Sequence, residues 1–341
     1  MDPRTGNGLD WRGREVLVTG AGGFIGSRLV ERLLDAGAHV RAFVRYTSRN
    51  DPGFLRGLAD RDAGSPRGRL AVVAGDVRDL ETVRRVCDGV DTVFHLAAHV
   101  GIPYSYEHVQ EVVEVNTMGT LQVLTAARER RVRRVVHTST SEVYGSARTL
   151  PIDESHPKQP QSPYAASKVA ADALAIAHHR SFGLPVAICR PFNTYGPRQS
   201  ERAVIPTLIT QALHRDEIVT GRLDPTRDFT FVTDTVEGLV AVAASDACIG
   251  EEVQLGTGRE ISIGDLAGCI LALVGRDLPL REDVARVRPA ASEVLRLRSN
   301  PAKATALTGW RPRVELEEGL AATIAWIRSA TEPFTPGTYR I

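Results

Sequence analysis

The segment that constrains this chain most is Thr19-Gly20-Ala21-Gly22-Gly23-Phe24-Ile25-Gly26. It lies between a short apolar run, 16–18, and a stretch in which Phe24, Ile25, Leu29, Val30, Leu33 and Leu34 recur on one helical face. Strand, glycine turn and amphipathic helix make a βα unit. The pattern repeats, with strands expected at 40–44, 70–73, 90–96, 132–137 and 186–189, and helices at 80–87, 109–130 and 165–182. Alternation of this kind gives a parallel, doubly wound α/β sheet, because each crossover lays a helix over one face. The stretch 49–69, rich in Gly, Pro, Arg and Asp, reads as a surface excursion with little core.

After Pro191 the alternation loosens. Turn signals stand at Tyr195-Gly196-Pro197 and Leu223-Asp224-Pro225, with helices at 205–213, 263–274 and 316–327. The expected organisation is therefore a Rossmann-type domain over 12–190 with a return segment near 229–245, a smaller C-terminal substrate-binding lobe over 191–330, and a tail, 331–341. The chain is 43% hydrophobic over 341 residues, enough for a full core. Its 42 basic and 41 acidic residues leave no field that would draw nucleic acid or an anionic membrane, so an anionic ligand must be met locally. Cys87, Cys189, Cys248 and Cys269 form no CxxC pair and read as reduced core residues, and His178-His179 has no acidic partner at metal-ligand spacing, so no metal is expected. No apolar segment suits a signal peptide or a membrane span, which points to the cytoplasm.

Gly20, Gly23 and Gly26 have distinct tasks. The first permits a tight turn, the second lets backbone N–H groups approach a diphosphate, and the third allows helix-to-strand packing. A glycine triplet alone also fits a plain strand-to-helix turn, but its place at the first crossover favours a dinucleotide. At the end of the second strand, where an acid would hold a ribose diol, stands Arg45. Arginine accepts no hydrogen bond, so NADP is favoured over NAD; an arginine that only stacks on adenine leaves NAD open. Asp76, after the third strand, is placed to bond the adenine edge or to cap a helix.

Tyr164 and Lys168, in Tyr164-Ala165-Ala166-Ser167-Lys168, share one helix face. An ammonium beside a phenol lowers its pKa and makes Tyr164 a candidate base for a hydroxyl proton during hydride transfer. Alone the pair fits a surface tyrosine and a solvated lysine better. Thr138-Ser139-Thr140-Ser141-Glu142-Val143-Tyr144-Gly145 reverses those odds, because it follows a buried strand, where open parallel sheets bind ligands. Its hydroxyls could merely satisfy strand-end backbone, and Glu142 could be a surface acid. With Val143 and Tyr144 beside it, Glu142 is expected buried and so usable as an acid or base.

Together Thr19 to Gly26, GDVRD at 75–79, HLAA at 95–98, Asn116, STSEVYG at 139–145, YAASK at 164–168, RPFNTYGP at 190–197 and RDFTFVTD at 227–234 resemble the extended short-chain dehydrogenase/reductases of nucleotide-sugars. The likeness runs over nearly the whole chain. AFVRYTSRN at 42–50, 190–211 and 315–326 look closest to 4,6-dehydratases of the legionaminic acid type. That resemblance implies an enzyme in which Thr140 bonds the oxygen on sugar carbon 4, Tyr164 takes its proton, and Glu142 removes the proton on carbon 5 before the carbon-6 group leaves. It implies cofactor contacts from Gly20, Gly23, Phe24, Ile25, Gly26, Arg45, Asp76, Val77, Leu96, Ala97, Ala98, Thr138, Tyr164 and Lys168. For the nucleotide-sugar it implies Arg227, from the RDF motif. Asn193, Arg198, Arg202 and Arg288 are further candidates, since the guanidinium fork suits phosphate oxygens.

Ser141 stands where glucose-type dehydratases carry Asp, and Ser-Glu also resembles UDP-glucuronate decarboxylases. Dehydration is favoured, with decarboxylation next and 4-epimerisation behind. A dinucleotide-sensing protein without catalysis would normally lack Tyr164 or Lys168. A small-ketone reductase would not need Asn193 and Arg227. Helices 109–130 and 165–182 are apolar on more than one face, which, with the resemblance, implies a homodimer.

Overall fold

Valine-rich runs become the inner strands of one parallel sheet because helices cover both of its faces. In the computed structural model, residues 9–58, 68–287 and 289–329 are described. The first half runs β1 (Glu15–Thr19), α1 (Phe24–Asp35), β2 (His39–Arg45), β3 (Leu70–Gly75), α2 (Leu80–Val86), β4 (Thr92–His95), α3 (Ile102–Glu107), α4 (Val109–Val113), α5 (Gly119–Glu129), β5 (Arg134–Thr138), α6 (Pro163–Phe182) and β6 (Val186–Pro191). The second half adds β7 (Asn193–Tyr195), α7 (Val204–His214), β8 (Ile218–Thr220), β9 (Thr226–Arg227), β10 (Phe229–Phe231), α8 (Val232–Ala244) and β11 (Glu252–Leu255). It closes with β12 (Ile261–Ser262), α9 (Ile263–Val274), β13 (Leu280–Glu282), β14 (Arg296–Leu297), α10 (Ala302–Thr308) and α11 (Leu316–Ser329).

The sheet order is β11-β6-β5-β4-β1-β2-β3, every pairing parallel. Connections run outward in opposite directions from β1 and β4, so the carboxyl ends of these two strands flank a crevice where such sheets bind ligands. Val16, Leu17, Val18, Val93, Phe94, Val135 and Val136 are fully buried, as strands covered on both faces must be. Helices α1 and α8 pack together on one side, and α2, α5 and α6 cover the other. The small strands pair outside this sheet: β10 with β7, β9 with β12 and β14, and β13 with β8.

Three expectations change. The helix expected over 109–130 is broken by a π turn, Glu114–Met118, between α4 and α5. The wide turn carries Asn116 inward, where its amide oxygen accepts from the His99 N–H (2.8 Å) and its nitrogen donates to the His99 carbonyl (3.1 Å) and Ser167 Oγ (3.0 Å). β11, within the stretch read as lobe, returns to the sheet as its edge strand beside β6. In the expected surface excursion, Leu55 and Leu58 are core residues, and the Phe54 N–H donates to the Gly22 carbonyl (3.1 Å). The segment covers the glycine turn; its residues 59–67 and the tail, 331–341, lie outside the described residues. Among the described residues no helix is long and apolar enough to cross a membrane, and no cluster of metal-ligating side chains occurs.

Candidate active site

The turn between β1 and α1 is built of backbone. Gly20 has φ +68°, and a Cβ there would come within 3.0 Å of the Ala97 nitrogen; a Cβ on Gly26 would overlap the Gly20 carbonyl oxygen. Gly23 caps α1 with no side-chain hydrogen bond, so the N–H groups of Phe24 and Ile25 in the first turn have no side-chain cap. Thr19 Oγ1 accepts from the N–H groups of Leu96 (3.2 Å) and Ala97 (3.1 Å), tying the exit of β4, with Ala98, to the glycine turn. The Thr19 hydroxyl's own hydrogen then faces His95 Nδ1, 2.8 Å away. Burial pushes His95 well below the ordinary imidazole range. It stays neutral and structural.

At the rim, Arg45 is exposed, its guanidinium 3.6 Å from Glu111. The run from Arg45 to Asn50 is exposed throughout and holds two arginines and three hydroxyls with no carboxylate. Asp76 is engaged bidentately by Arg78 (2.6 and 3.0 Å), which holds its carboxyl below the usual range. The cap of α2 is Asp79, whose carboxylate accepts from the Glu81 N–H (3.1 Å), so Asp76 is not a helix cap. Val77 is buried beside it.

Ser162 caps α6 by accepting from the Ala165 N–H (3.1 Å), and the first two turns of that helix bring Tyr164 and Lys168 to the carboxyl end of β5. Tyr164 is hydrogen-bonded to Thr140. Lys168 Nζ donates to the Thr138 carbonyl at 2.7 Å. The phenol differs from expectation: burial pushes it up to about 12, against the Thr140 hydrogen bond, while Lys168 turns its ammonium to the strand-end carbonyl. Burial also lowers Lys168 to about 8, partly offset by Asp172. Thr138 Oγ1 is buried without a partner among the described residues, a donor left for a ligand.

Thr140 opens a short turn, Ser141–Tyr144, and its hydroxyl accepts from the Glu142 N–H (3.3 Å). Ser141, Val143 and Tyr144 are buried, while Glu142 is only half-buried. In a turn of three residues per revolution Glu142 takes the outward position, so burial of its neighbours does not carry it inward as expected. Its charge reaches Tyr164 nonetheless.

Sequence reasoning missed what lies behind this pair. Asp172, fully buried one turn beyond Lys168, accepts from His137 Nε2 (3.1 Å), Ser139 Oγ (2.8 Å) and Arg190 (2.8 Å). Arg190, also fully buried, donates to the Tyr144 hydroxyl (2.6 Å) and pairs with Glu252 (2.8 Å). A charged pair on a helix and strand that otherwise read as core was the available signal.

From the lobe, Asn193 places Nδ2 in the interior without a partner among the described residues. Arg227 is buried, bonded to the Thr226 carbonyl (2.9 Å) and 3.6 Å from Glu293. Glu293 was not foreseen. Arg198 departs from expectation. In left-handed conformation after Gly196 (φ 78°), it turns back to α1, donating to Glu31 (2.6 Å) and Ser27 Oγ (3.1 Å). Arg202 is exposed, close enough for its charge to act on Tyr104. Arg288 lies outside the described residues.

The likeness to known proteins runs over nearly the whole chain. The family model described as GDP-mannose 4,6 dehydratase matches residues 17–323. The chain belongs to that family. Members are enzymes of the extended short-chain dehydrogenase/reductase type. A dTDP-glucose 4,6-dehydratase of Streptomyces griseus is 37% identical over 330 residues, spanning 94% of this chain and 97% of the relative. Among solved structures, the dTDP-glucose 4,6-dehydratase DesIV from Streptomyces venezuelae, with NAD bound, is 36% identical with TM-score 0.81, covering 92% of this chain and 97% of that one. The UDP-glucuronic acid 4-epimerase from Bacillus cereus is 29% identical with TM-score 0.82, covering 92% and 99%.

Proposed function

We propose that this chain is a nucleotide-sugar 4,6-dehydratase. The observation that carries the reading is that Thr140, Tyr164 and Glu142 converge at the end of β5, so an oxidising pair and a separate carboxylate address one substrate. A cradle of bare backbone and an uncapped helix N-terminus fits a dinucleotide, and Gly23, Phe24, Ile25, Asp76, Val77, Leu96, Ala97, Ala98, Thr138 and Lys168 would hold it. When bound, a nicotinamide supplies the acceptor, and later the donor, of hydride. The exposed pair Arg45 and Arg49, with Thr47 and Ser48, supports NADP, the guanidinium fork suiting a 2′-phosphate.

In this reading Thr140 fixes the oxygen on carbon 4 and Tyr164 takes its proton as carbon 4 gives up hydride, leaving a ketone. The ketone acidifies the proton on carbon 5. Glu142 removes that proton and passes it to the hydroxyl leaving carbon 6, so no second acid is needed where Ser141 stands. Carbon 6 then receives hydride and carbon 5 a proton. The net change is loss of one water. Asn193 and Arg227 would grip the diphosphate from the lobe, 191–330, excluding α8 and β11.

Ser141 also favours a second reading, since a serine leaves room for a substrate carboxylate and so for decarboxylation. The test is incubation with UDP-N-acetylglucosamine, GDP-N-acetylglucosamine, dTDP-glucose and UDP-glucuronate separately, with products weighed. Loss of water supports dehydration; loss of carbon dioxide supports the second reading; unchanged mass with an inverted carbon 4 replaces both by epimerisation.

A further inference from the structure

The mechanism above leaves unused a network of charged groups buried behind Lys168. Asp172 and Arg190 have no exposed surface. Taking such a pair out of water costs several kcal/mol per ion, and a well-packed apolar pair would serve stability as well. Its connections suggest why it is ionic. On α6, Asp172 lies four residues past Lys168. Through Ser139 Oγ it holds the strand end that carries Thr138 and Thr140. Arg190 crosses to the Tyr144 hydroxyl (2.6 Å) and stacks over the Tyr144 ring at 4.9 Å. Gln254 donates to the same hydroxyl (2.6 Å) from β11. Tyr144 closes the turn that holds Glu142. The network therefore reaches each segment that bears a reacting group.

On the reading given under Proposed function, we propose that Asp172 and Arg190 are positioning residues: the carboxylate is the counter-charge of Lys168, and the guanidinium locks the Ser141–Tyr144 turn so that Glu142 meets the sugar that Tyr164 oxidises. Around Lys168 stand Tyr164 and Asp172 on its own helix, His95 from β4 and His137 from β5. One group further out are Arg190 from β6, Glu252 from β11, Lys158 from the loop before α6, and Glu142. Burial keeps both histidines neutral and raises the phenol, which the positive charge of a bound nicotinamide would bring down again so that Tyr164 can accept a proton. Lys168 is an inner group that changes charge above neutral pH. Removing the negative charge of Asp172 makes the ammonium lose its proton at lower pH.

The experiment uses the holoenzyme with the nucleotide-sugar it converts, and follows two signals in single turnovers: reduction of the bound nicotinamide, and entry of solvent deuterium at carbon 5. Asp172→Asn keeps the shape and is expected to move the alkaline midpoint of nicotinamide reduction toward neutrality by about one pH unit or more. Tyr144→Phe keeps the ring but frees the turn. It is expected to slow deuterium entry about ten-fold more than nicotinamide reduction. A folded Asp172→Asn protein with an unmoved midpoint overturns the role of the carboxylate. If that variant does not fold, Asp172→Glu, which keeps the charge and displaces it, takes its place: a moved midpoint supports the role and an unmoved one overturns it. Equal slowing of both signals in Tyr144→Phe overturns the role of Arg190. A wild-type protein that reduces no cofactor with any nucleotide-sugar overturns the proposed function itself, and this inference with it. A wild type that turns over with unchanged variants overturns the inference alone.

Discussion

A lysine ammonium with 3% of its surface exposed has lost most of its hydration, and that loss sets the working range of the site. With Lys168 lowered to about 8 by burial, nicotinamide reduction is expected to decline as pH rises through about 8. Stability should move the other way. The folded state binds this proton less tightly than the unfolded chain, so from about 8 up to the ordinary lysine range the unfolded state holds more protons and stability rises with pH. The comparison of wild type with Lys168→Met isolates the group: their difference in unfolding free energy should change by up to about 1.4 kcal/mol per pH unit in that window, in favour of the wild type. A flat difference across denaturant titrations at pH 7 and 9 contradicts the assignment. A second contrast separates the two half-reactions. Tyr164→Phe should lose nicotinamide reduction by roughly 10²–10⁴-fold, whereas Glu142→Gln should still reduce the cofactor yet neither exchange carbon 5 nor release water. Dehydration at the wild-type rate by Glu142→Gln would remove Glu142 from the mechanism.

Among elements, the β1–α1 turn tolerates little. A Cβ on Gly26 meets backbone, the Gly20 carbonyl, and neither partner is free to move. Gly26→Ala is expected to cost about 1–3 kcal/mol and to abolish cofactor retention. Gly268→Ala, at an exposed site inside α9 with nothing within 4 Å, should instead stabilise by about 0.5–1 kcal/mol. Thermal melts with assay of bound nucleotide check both, and a Gly26→Ala protein that keeps its cofactor refutes the close-approach argument. The same turn shows why much of the fold was legible. Each inner strand is a local apolar run beside a helix of regular period, so β1, β2, β5 and β6 fall within two residues of expectation. β11 was not legible, since Glu252-Val253-Gln254-Leu255 becomes a strand only by pairing with β6. Tyr164, Lys168 and Thr140 were legible because motif spacing encodes them. Asp172 and Arg190 were not, because their link crosses from α6 to β6, and no local pattern records which buried charges meet. The orientation of Arg198 rests on a left-handed backbone angle that its residue type does not announce.

For the whole molecule, the surface along α4 to α6 bears on assembly. Val109, Val113 and Met118 are exposed by 45%, 40% and 43%. The first two are four apart in α4, and the next step is five, across the π turn. A π turn adds one residue per turn, so the extra residue keeps Met118 in line with the valines. On the adjoining α6, Ala166, Ala173 and Ala177 are exposed and Ala170 partly so. Their spacing of four, three and four makes a stripe of small side chains down one face. Two neighbouring helices with apolar or small outer faces suit a two-fold contact in which each pair packs against its mate. A homodimer is therefore expected, with light scattering at micromolar concentration giving twice the 37.0 kDa chain mass. The double substitution Met118→Glu and Ala173→Glu puts like charges on both helices of a self-complementary face. It should give a monomer that retains its cofactor, because neither side chain lines the glycine turn. A wild-type monomer at that concentration, or a double variant that still dimerises, would place the contact elsewhere or dispense with it.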